Sequence, residues 1–437
     1  MKIFVPVCIE EEAKWIIDHI FSGCFEASYS ISPWSEKFYK FEYEAHELFF
    51  PEFMISRYVN ENQKRMPDVK EFRYLDQSLV TIGCLSQEEK FAVPFDIIGS
   101  IFFVLSGLHE KLINDFDSLG RPITTHSFYK QTRLFYEPFV DKHVEFLRQL
   151  LELELGASFR WKSLDAVHLS SDLDLPFREP RSLWRWSRKI ASDLIKRKSP
   201  IEALQTLGRF PGSRRSLESD SYFAGVNTLS GLAQKYSVPL EFFIIADTTD
   251  KDYEDSWICD PDFKLKMAEM TKEGHRIGVH PGIKCSSDIR YLRTAVEKFM
   301  IFLDEINYNQ DFSSRFHFLK FDPEVTPEFL VKCGVTDDKT IGFNDNIGFR
   351  RGTSRAFKSY DLASRKTLTL KEHPLHVMDI TLTAERYLNL KLNDKTLQRC
   401  REIKGECSKY GGTFSILWHN SNLETFKEIE FLDRVLS

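Results

Sequence analysis

The chain has 437 residues, with 59 Lys and Arg against 65 Asp and Glu and a formal net charge of −6. That length holds about two or three domains of roughly 100–200 residues each, which excludes a single small module. Hydrophobic residues at 42% and charged residues at 28% are ordinary for a folded protein and exclude a fibrous chain, and the mild acidity removes the electrostatic reason to expect a nucleic-acid partner.

The first fifteen residues carry Lys2 and then Glu10, Glu11 and Glu12, without the cationic start, apolar centre and small-residue cleavage site of a signal peptide. The longest nearly uncharged run, residues 97–108, is about half of the ~20 residues a membrane-spanning helix needs. The 8 cysteines form no CxxC and no zinc-finger spacing with His, and they read as reduced thiols. The expectation is a cytoplasmic protein with no transmembrane segment. Its 38 Phe are read as packed core rather than sugar-stacking platforms.

In chain order, residues 1–158 read as a smaller α+β unit. It opens with a short strand at 2–8 and a helix at 10–20, passes through a polar and aromatic middle, and closes with helices at 94–108 and 138–155. In the last of these Val140, Val144, Leu147, Leu150 and Leu151 recur at helical spacing. Between the two helices lies Asp117-Ser-Leu-Gly120-Arg-Pro122, a turn-forming loop. In residues 159–437 the pattern changes. Strands are predicted at 166–170, 240–246, 276–279, 315–321, 339–341, 375–379 and 413–418, separated by helices such as 183–196, 225–236, 261–273, 286–307 and 327–333. Such alternation implies a parallel sheet, open or closed into a barrel, and in either case sites form at the strands' C-terminal ends.

Several of those ends carry metal-site residue types. Asp172 and Asp174 follow an apolar strand at i and i+2, so an extended backbone puts both carboxylates on one side. Close carboxylates need a cation or a shared proton, although a loop or helix cap is the plainer reading of that pair. His280 falls where the chain leaves the 276–279 strand, and His419 where it leaves the last one. Within 315–321, alternation sets His317 and Leu319 against Phe318 and Lys320. Each position alone is ordinary; Asp and His recurring at exits from one sheet is the pattern of a single metal-assisted site.

These residues sit in the stretches SSDLD, GHRIGVHPG, RFHFLKFDPEVTPEFLVKCGV, GFNDNIGFRRGTS and LWHNSN, whose order resembles that of divergent bacterial polysaccharide deacetylases related to carbohydrate esterase family four. VPFDIIGSIFFVLSGLHEK, GRPITTHS and FVDKHVEFL resemble the accessory domain that precedes the deacetylase domain in the same subgroup. The resemblance implies a distorted (β/α) barrel over 159–437 after the accessory unit at 1–158, with a divalent metal, usually zinc, held by one carboxylate and two histidines. Carried over, Asp172 matches the general base, Asp174 the metal-binding Asp, His280 the first metal His and His419 the general acid. Lys320 lies where the family has an Arg-containing motif, and Arg350 matches a groove residue of the subgroup. The family's second metal His lies four residues after the first, and that position is Lys284, whose ammonium would have to lose its proton before binding a cation. Either His317 or water completes the set, or the site is lost.

The implied activity is hydrolysis of the acetyl group of an N-acetylated sugar or glycan intermediate of surface polysaccharide synthesis. Asp345 and Arg350, near Arg351, are read as binding an acidic sugar or as a surface ion-pair cluster, and Asp379, ending a strand after His373 and His376, as lining the groove. The competing reading is a catalytically degenerate deacetylase fold that binds a glycan or a partner protein. Residues 181–198, with Trp184 and Trp186 among basic side chains, fit either peripheral membrane contact or, as the plainer reading, a solvated helix with Leu183, Trp186, Ile190 and Leu194 packed inward. Ser170 and Ser171 lack a GxSxG context, which argues against a serine esterase.

Overall fold

A computed structural model of the protein describes residues 1–74, 77–124, 129, 134–164, 166–178, 187, 190–191, 194, 200–201, 204, 207, 220–247 and 257–437. Trp184, Trp186 and most of the helix expected at 183–196 fall outside these residues.

Six strands belong to the first part of the chain: β1 (Lys2–Pro6), β2 (Ser30–Trp34), β3 (Phe38–Tyr43), β4 (His46–Pro51), β5 (Val69–Tyr74) and β6 (Gln77–Ile82). The first four form a sheet in the order β2-β1-β3-β4, and among the described residues β5 pairs with β6 alone. Helices α1 (Glu10–Asp18), α2 (Ile97–Leu105) and α3 (Phe139–Leu155) accompany them. Asp96 starts α2 by accepting from the Gly99 amide at 2.7 Å, satisfying one of the donors a helix N-terminus leaves open. The apolar core here runs from Ile3 to Ala157 but also takes in Phe343, Phe357 and Tyr360 from the later chain. Buried polar contacts join the same surfaces: Glu110 forms ion pairs with both Arg350 and Arg351 at 2.9 Å, and Asp141 accepts a hydrogen bond from Thr353 Oγ1 at 2.6 Å.

The later chain builds a nine-stranded sheet from β7 (Val167–Leu173), β8 (Leu240–Ile244), β9 (Arg276–Val279), β10 (Ser313–Ser314), β11 (Asp337–Asp338), β12 (Phe357–Asp361), β13 (Lys366–Glu372), β14 (Val377–Met378) and β15 (Phe414–Leu417), ordered β12-β13-β11-β10-β9-β8-β7-β15-β14. Every pairing is parallel except β12 with β13. The burial pattern explains the class: all five residues of β8 are buried, as in a parallel sheet covered on both faces. Among the covering helices are α4 (Ser221–Tyr236), α5 (Pro261–Lys272), α6 (Ile289–Glu305), α7 (Thr326–Lys332), α8 (Asp379–Thr383), α9 (Asp394–Lys409) and α10 (Phe426–Leu436). β13 and β14 lie at or beside opposite ends of the strand order, yet only residues 373–376 separate them in sequence. The five backbone steps from Glu372 to Val377 reach about 18 Å at most, so the sheet curls its two ends toward each other. The structure is thus a mixed α/β fold with a strongly curved parallel sheet.

Two predicted strands do not form where expected: 339–341 lies just past β11, which ends at Asp338, and 315–321 lies past β10. Residues 315–321 do not run extended: β10 stops at Ser314 and the chain makes a tight turn over His317–Leu319. Phe318 and Leu319 have φ of 59° and 53°, a left-handed backbone that ends the side-to-side alternation expected of HFLKF. Among the described residues no helix is long and apolar enough to cross a membrane.

Candidate metal centre

Because β15, β7, β8, β9 and β10 are neighbours and parallel, their C-terminal ends lie along one edge, and the residues that follow them meet there. The backbone continues the ladder past the strands: the His280 amide donates to Ile244 O at 2.8 Å, the Arg315 amide to Val279 O at 3.0 Å and the His317 amide to Pro281 O at 2.9 Å. Asp174, one residue beyond β7, is thereby brought together with His280 and His317. Each offers one ligand atom, and these atoms lie within 4.8 Å of one another. His280 Nε2 is 3.1 Å from Asp174 Oδ1, and His317 Nε2 is 3.5 Å from Asp174 Oδ2.

The chemistry of the donors fits a divalent cation. His280 Nδ1 donates to the Arg315 carbonyl at 2.5 Å, which fixes the tautomer and turns Nε2 toward Asp174. Neither His280 Nε2 nor Asp174 Oδ1 has a hydrogen-bond partner, although both atoms are buried and face each other. Buried polar atoms are rarely left so, and one carboxylate with two imidazoles is a common transition-metal set. Electrostatics agree. Burial works against a charged Asp174, yet His317 and His280 hold its carboxyl well below the usual range. Burial likewise opposes a charged His280, but Asp172 and Asp174 carry its pKa above the ordinary value. The cluster attracts positive charge, and a metal ion competes with protons for those positions.

Around the cluster sit two further polar pairs. Asp172, buried within β7, accepts from Arg315 Nη1 at 3.1 Å, and its other oxygen is 3.7 Å from His280 Nε2. Arg315 is itself buried and stacks over the Phe243 ring at 4.3 Å. Gly278 makes room for that ring, since a Cβ there would lie 2.6 Å from Phe243 and 2.7 Å from the Ser313 carbonyl. The second pair is His419 with Asp379: Asp379 Oδ1 accepts from His419 Nδ1 at 2.7 Å and Oδ2 from the His419 amide at 2.8 Å. His419 Nε2 then points to Asp174 Oδ2 at 3.7 Å. Burial alone would lower the His419 pKa, but Asp379, joined by Asp174 and Asp172, raises it to about 10.

The residues expected to bind substrate are otherwise engaged. Lys320 Nζ donates to the carbonyls of Leu119 and Gly120 at 2.7 and 2.6 Å. Asp345 accepts from Thr124 Oγ1 at 2.5 Å and from the Thr124 amide at 3.1 Å. Arg350 is buried, with both Nε and Nη2 on Glu110 and Nη1 on the Gly342 carbonyl, so its forked donors serve an internal ion pair instead of a groove. Asp379 directs its oxygens to His419 and Asn422, not into a groove. Lys284, at the family's second His position, is exposed and lies 5.5 Å from the Tyr291 ring centre. The sequence does not single out Arg315, whose one signal is its place two residues before His317. A cleft of about 780 Å³ opens elsewhere, between α1 and the β12–β13 hairpin, and contains none of the cluster residues.

Residues 1–155 match DUF7033, a family described as one of unknown function. No curated protein matches the chain. Among solved structures, a Mycobacterium smegmatis protein described as a polysaccharide deacetylase is similar over 62% of this chain and 83% of its own, with 14% identity and a TM-score of 0.39. A Puue allantoinase is similar over 50% of this chain and 69% of its own, with 14% identity and a TM-score of 0.34. Likenesses this slight do not bear on the chemistry of the site.

Proposed function

We propose that the chain is a metal-dependent hydrolase that removes the acetyl group from an N-acetylated sugar or glycan intermediate of surface polysaccharide synthesis. The observation that carries the hydrolase reading is the convergence of Asp174, His280 and His317 beside Asp172 and His419, with His280 Nε2 and Asp174 Oδ1 buried and facing each other without a hydrogen bond. The sugar and its pathway rest on the sequence resemblance.

Asp174, His280 and His317 would hold the cation, whose Lewis acidity lowers the pKa of a water molecule and polarises the acyl carbonyl. Asp172 is the base that accepts the water's proton, through the oxygen turned toward His280, while Arg315 fixes the other oxygen. His419, whose Nδ1–H is held by Asp379, presents Nε2 to the same space and delivers a proton to the leaving nitrogen. Water adds across the C–N bond; acetate and a free amine leave. Asp379, bonded to Nδ1, favours the protonated form of His419 that this step needs.

The test is acetate release by the full chain from acetylated amino sugars and from small linear amides, with and without chelation of its metal. Chelator-sensitive release from the sugars alone is expected. Release from linear amides alone would move the substrate class off sugars. Stoichiometric metal with no release from either, together with glycan binding, would favour the degenerate, binding-only reading.

A further inference from the structure

The ligand contributed by His317 differs from the other two in how it is held. Asp174 and His280 directly follow β7 and β9, whereas β10 ends three residues before His317, whose amide still reaches the Pro281 carbonyl. His317 opens a turn whose next two residues, Phe318 and Leu319, both sit in left-handed backbone that β-carbon-bearing residues avoid. Such strain persists only where surrounding structure enforces it.

What encloses this turn comes from the first part of the chain. Arg121, 5% exposed, donates from Nη1 to the Phe318 carbonyl at 2.7 Å and from Nη2 to Tyr387 Oη at 3.0 Å. Asp117 orients its guanidinium, accepting from Nε at 2.8 Å. Lys320 reaches back from the other end of the turn to the carbonyls of Leu119 and Gly120. Gly120, at φ 69°, allows that approach, since a Cβ there would lie 2.7 Å from Lys320 Nζ. Within the turn, the Phe318 ring stacks on the His317 imidazole at 3.8 Å between centres. The loop Asp117–Pro122 therefore grips the residue that supports the His317 ring.

We propose that this loop is a positioning element of the metal centre: by holding the Phe318–Leu319 turn, Arg121 keeps His317 in ligand geometry, so the first part of the chain sets the affinity of a site to which it contributes no ligand among the described residues. The inference rests on the metal-centre reading and adds that the accessory region is needed for the site. A guanidinium bridging two acceptors is not replaced by an ammonium, so the same logic separates Arg from Lys at position 121.

The test is competition titration of Zn²⁺ or Co²⁺ against a chromophoric chelator on the full chain, paired with thermal melting of the metal-free protein. Arg121→Ala is expected to weaken metal binding about tenfold or more, in the range seen when a ligand's supporting partner is removed. Arg121→Lys is expected to recover only part of this. Arg365→Ala removes an ion pair with Glu12 elsewhere between the two parts of the chain, and is expected to leave metal affinity unchanged. The double variant Arg121→Ala/His317→Ala should bind no more weakly than His317→Ala alone, because Arg121 acts through that ligand. Should Arg121→Ala not fold, Lys320→Met tests the grip from its other side, with the same loss of affinity expected. Wild-type affinity in Arg121→Ala, or in Lys320→Met where that is the variant tested, or full additivity in the double variant, overturns the proposal while leaving the metal centre standing. Failure of the wild-type chain to bind either ion overturns both.

Discussion

The two ends of the parallel sheet each bury a cluster of charged and imidazole side chains, and they resolve the cost of burial in opposite ways. At the strands' N-terminal end, Glu241 pairs with Lys339 and accepts from Ser313 Oγ at 2.5 Å, while Lys339 also approaches His168 Nε2 at 2.9 Å. Burial opposes a charged Glu241, yet Lys339 and His168 hold its carboxyl well below the usual range; burial and then Lys339 push the His168 pKa down to about 3. That cluster satisfies itself. At the C-terminal end the fixed cation, Arg315, pairs with Asp172, whereas among the described residues Asp174 faces imidazoles alone; His280 and His419 are drawn toward protonation, and His280 Nε2 and Asp174 Oδ1 keep no hydrogen bond. Burial of charge alone does not mark a functional site; unmet demand for positive charge does.

The largest expected effect breaks this contrast at its centre. Asp174→Ala should lower metal affinity by at least about 100-fold, whereas Glu241→Gln should leave it within about twofold and cost about 3–5 kcal/mol of stability by stranding Lys339. Equilibrium dialysis with a metal assay and urea unfolding read the two effects. Next, Asp172→Asn should reduce the turnover number for acetate release by about 10²–10⁴ with metal content unchanged, separating base from ligand.

How far this contrast is legible in the sequence depends on whether neighbours in space are neighbours in the chain. Asp172, Asp174, His280 and His419 follow apolar runs, and their convergence follows from strand–helix alternation alone. The turn at His317 is hidden because Arg-Phe-His-Phe-Leu-Lys-Phe reads as an alternating strand, while the side chain and carbonyls that bond to the turn lie in residues 117–122, far away in sequence. The engagements of Lys320, Asp345 and Arg350 join positions about 200 residues or more apart, a separation that leaves no local spacing to read. In β3 the signal is present, since FYKFEY alternates in side-chain character, but its aromatic composition blends into the polar and aromatic stretch around it.

Smaller effects sharpen the comparison. His168 is held neutral with a folded pKa of about 3, so the unfolded chain binds the extra proton as pH falls below the ordinary value of 6.5, and stability declines from there toward pH 3. Replacing it by Gln should remove about 1.4 kcal/mol per pH unit from the slope of unfolding free energy between about pH 6 and 4. Denaturant unfolding at several pH values measures this; an unchanged slope would mean that His168 already carries a proton. Smallest of all, Lys284→Ala should leave metal affinity within about twofold, because that side chain is exposed and turned to Tyr291.

The most direct measurement is anomalous diffraction at the metal edge from crystals of the full chain grown with Zn²⁺ or Co²⁺. The account predicts one strong peak about 2.0–2.2 Å from an oxygen of Asp174 and from Nε2 of both His280 and His317. Density showing the three side chains joined by hydrogen bonds, with no ion or with the ion elsewhere, would contradict it.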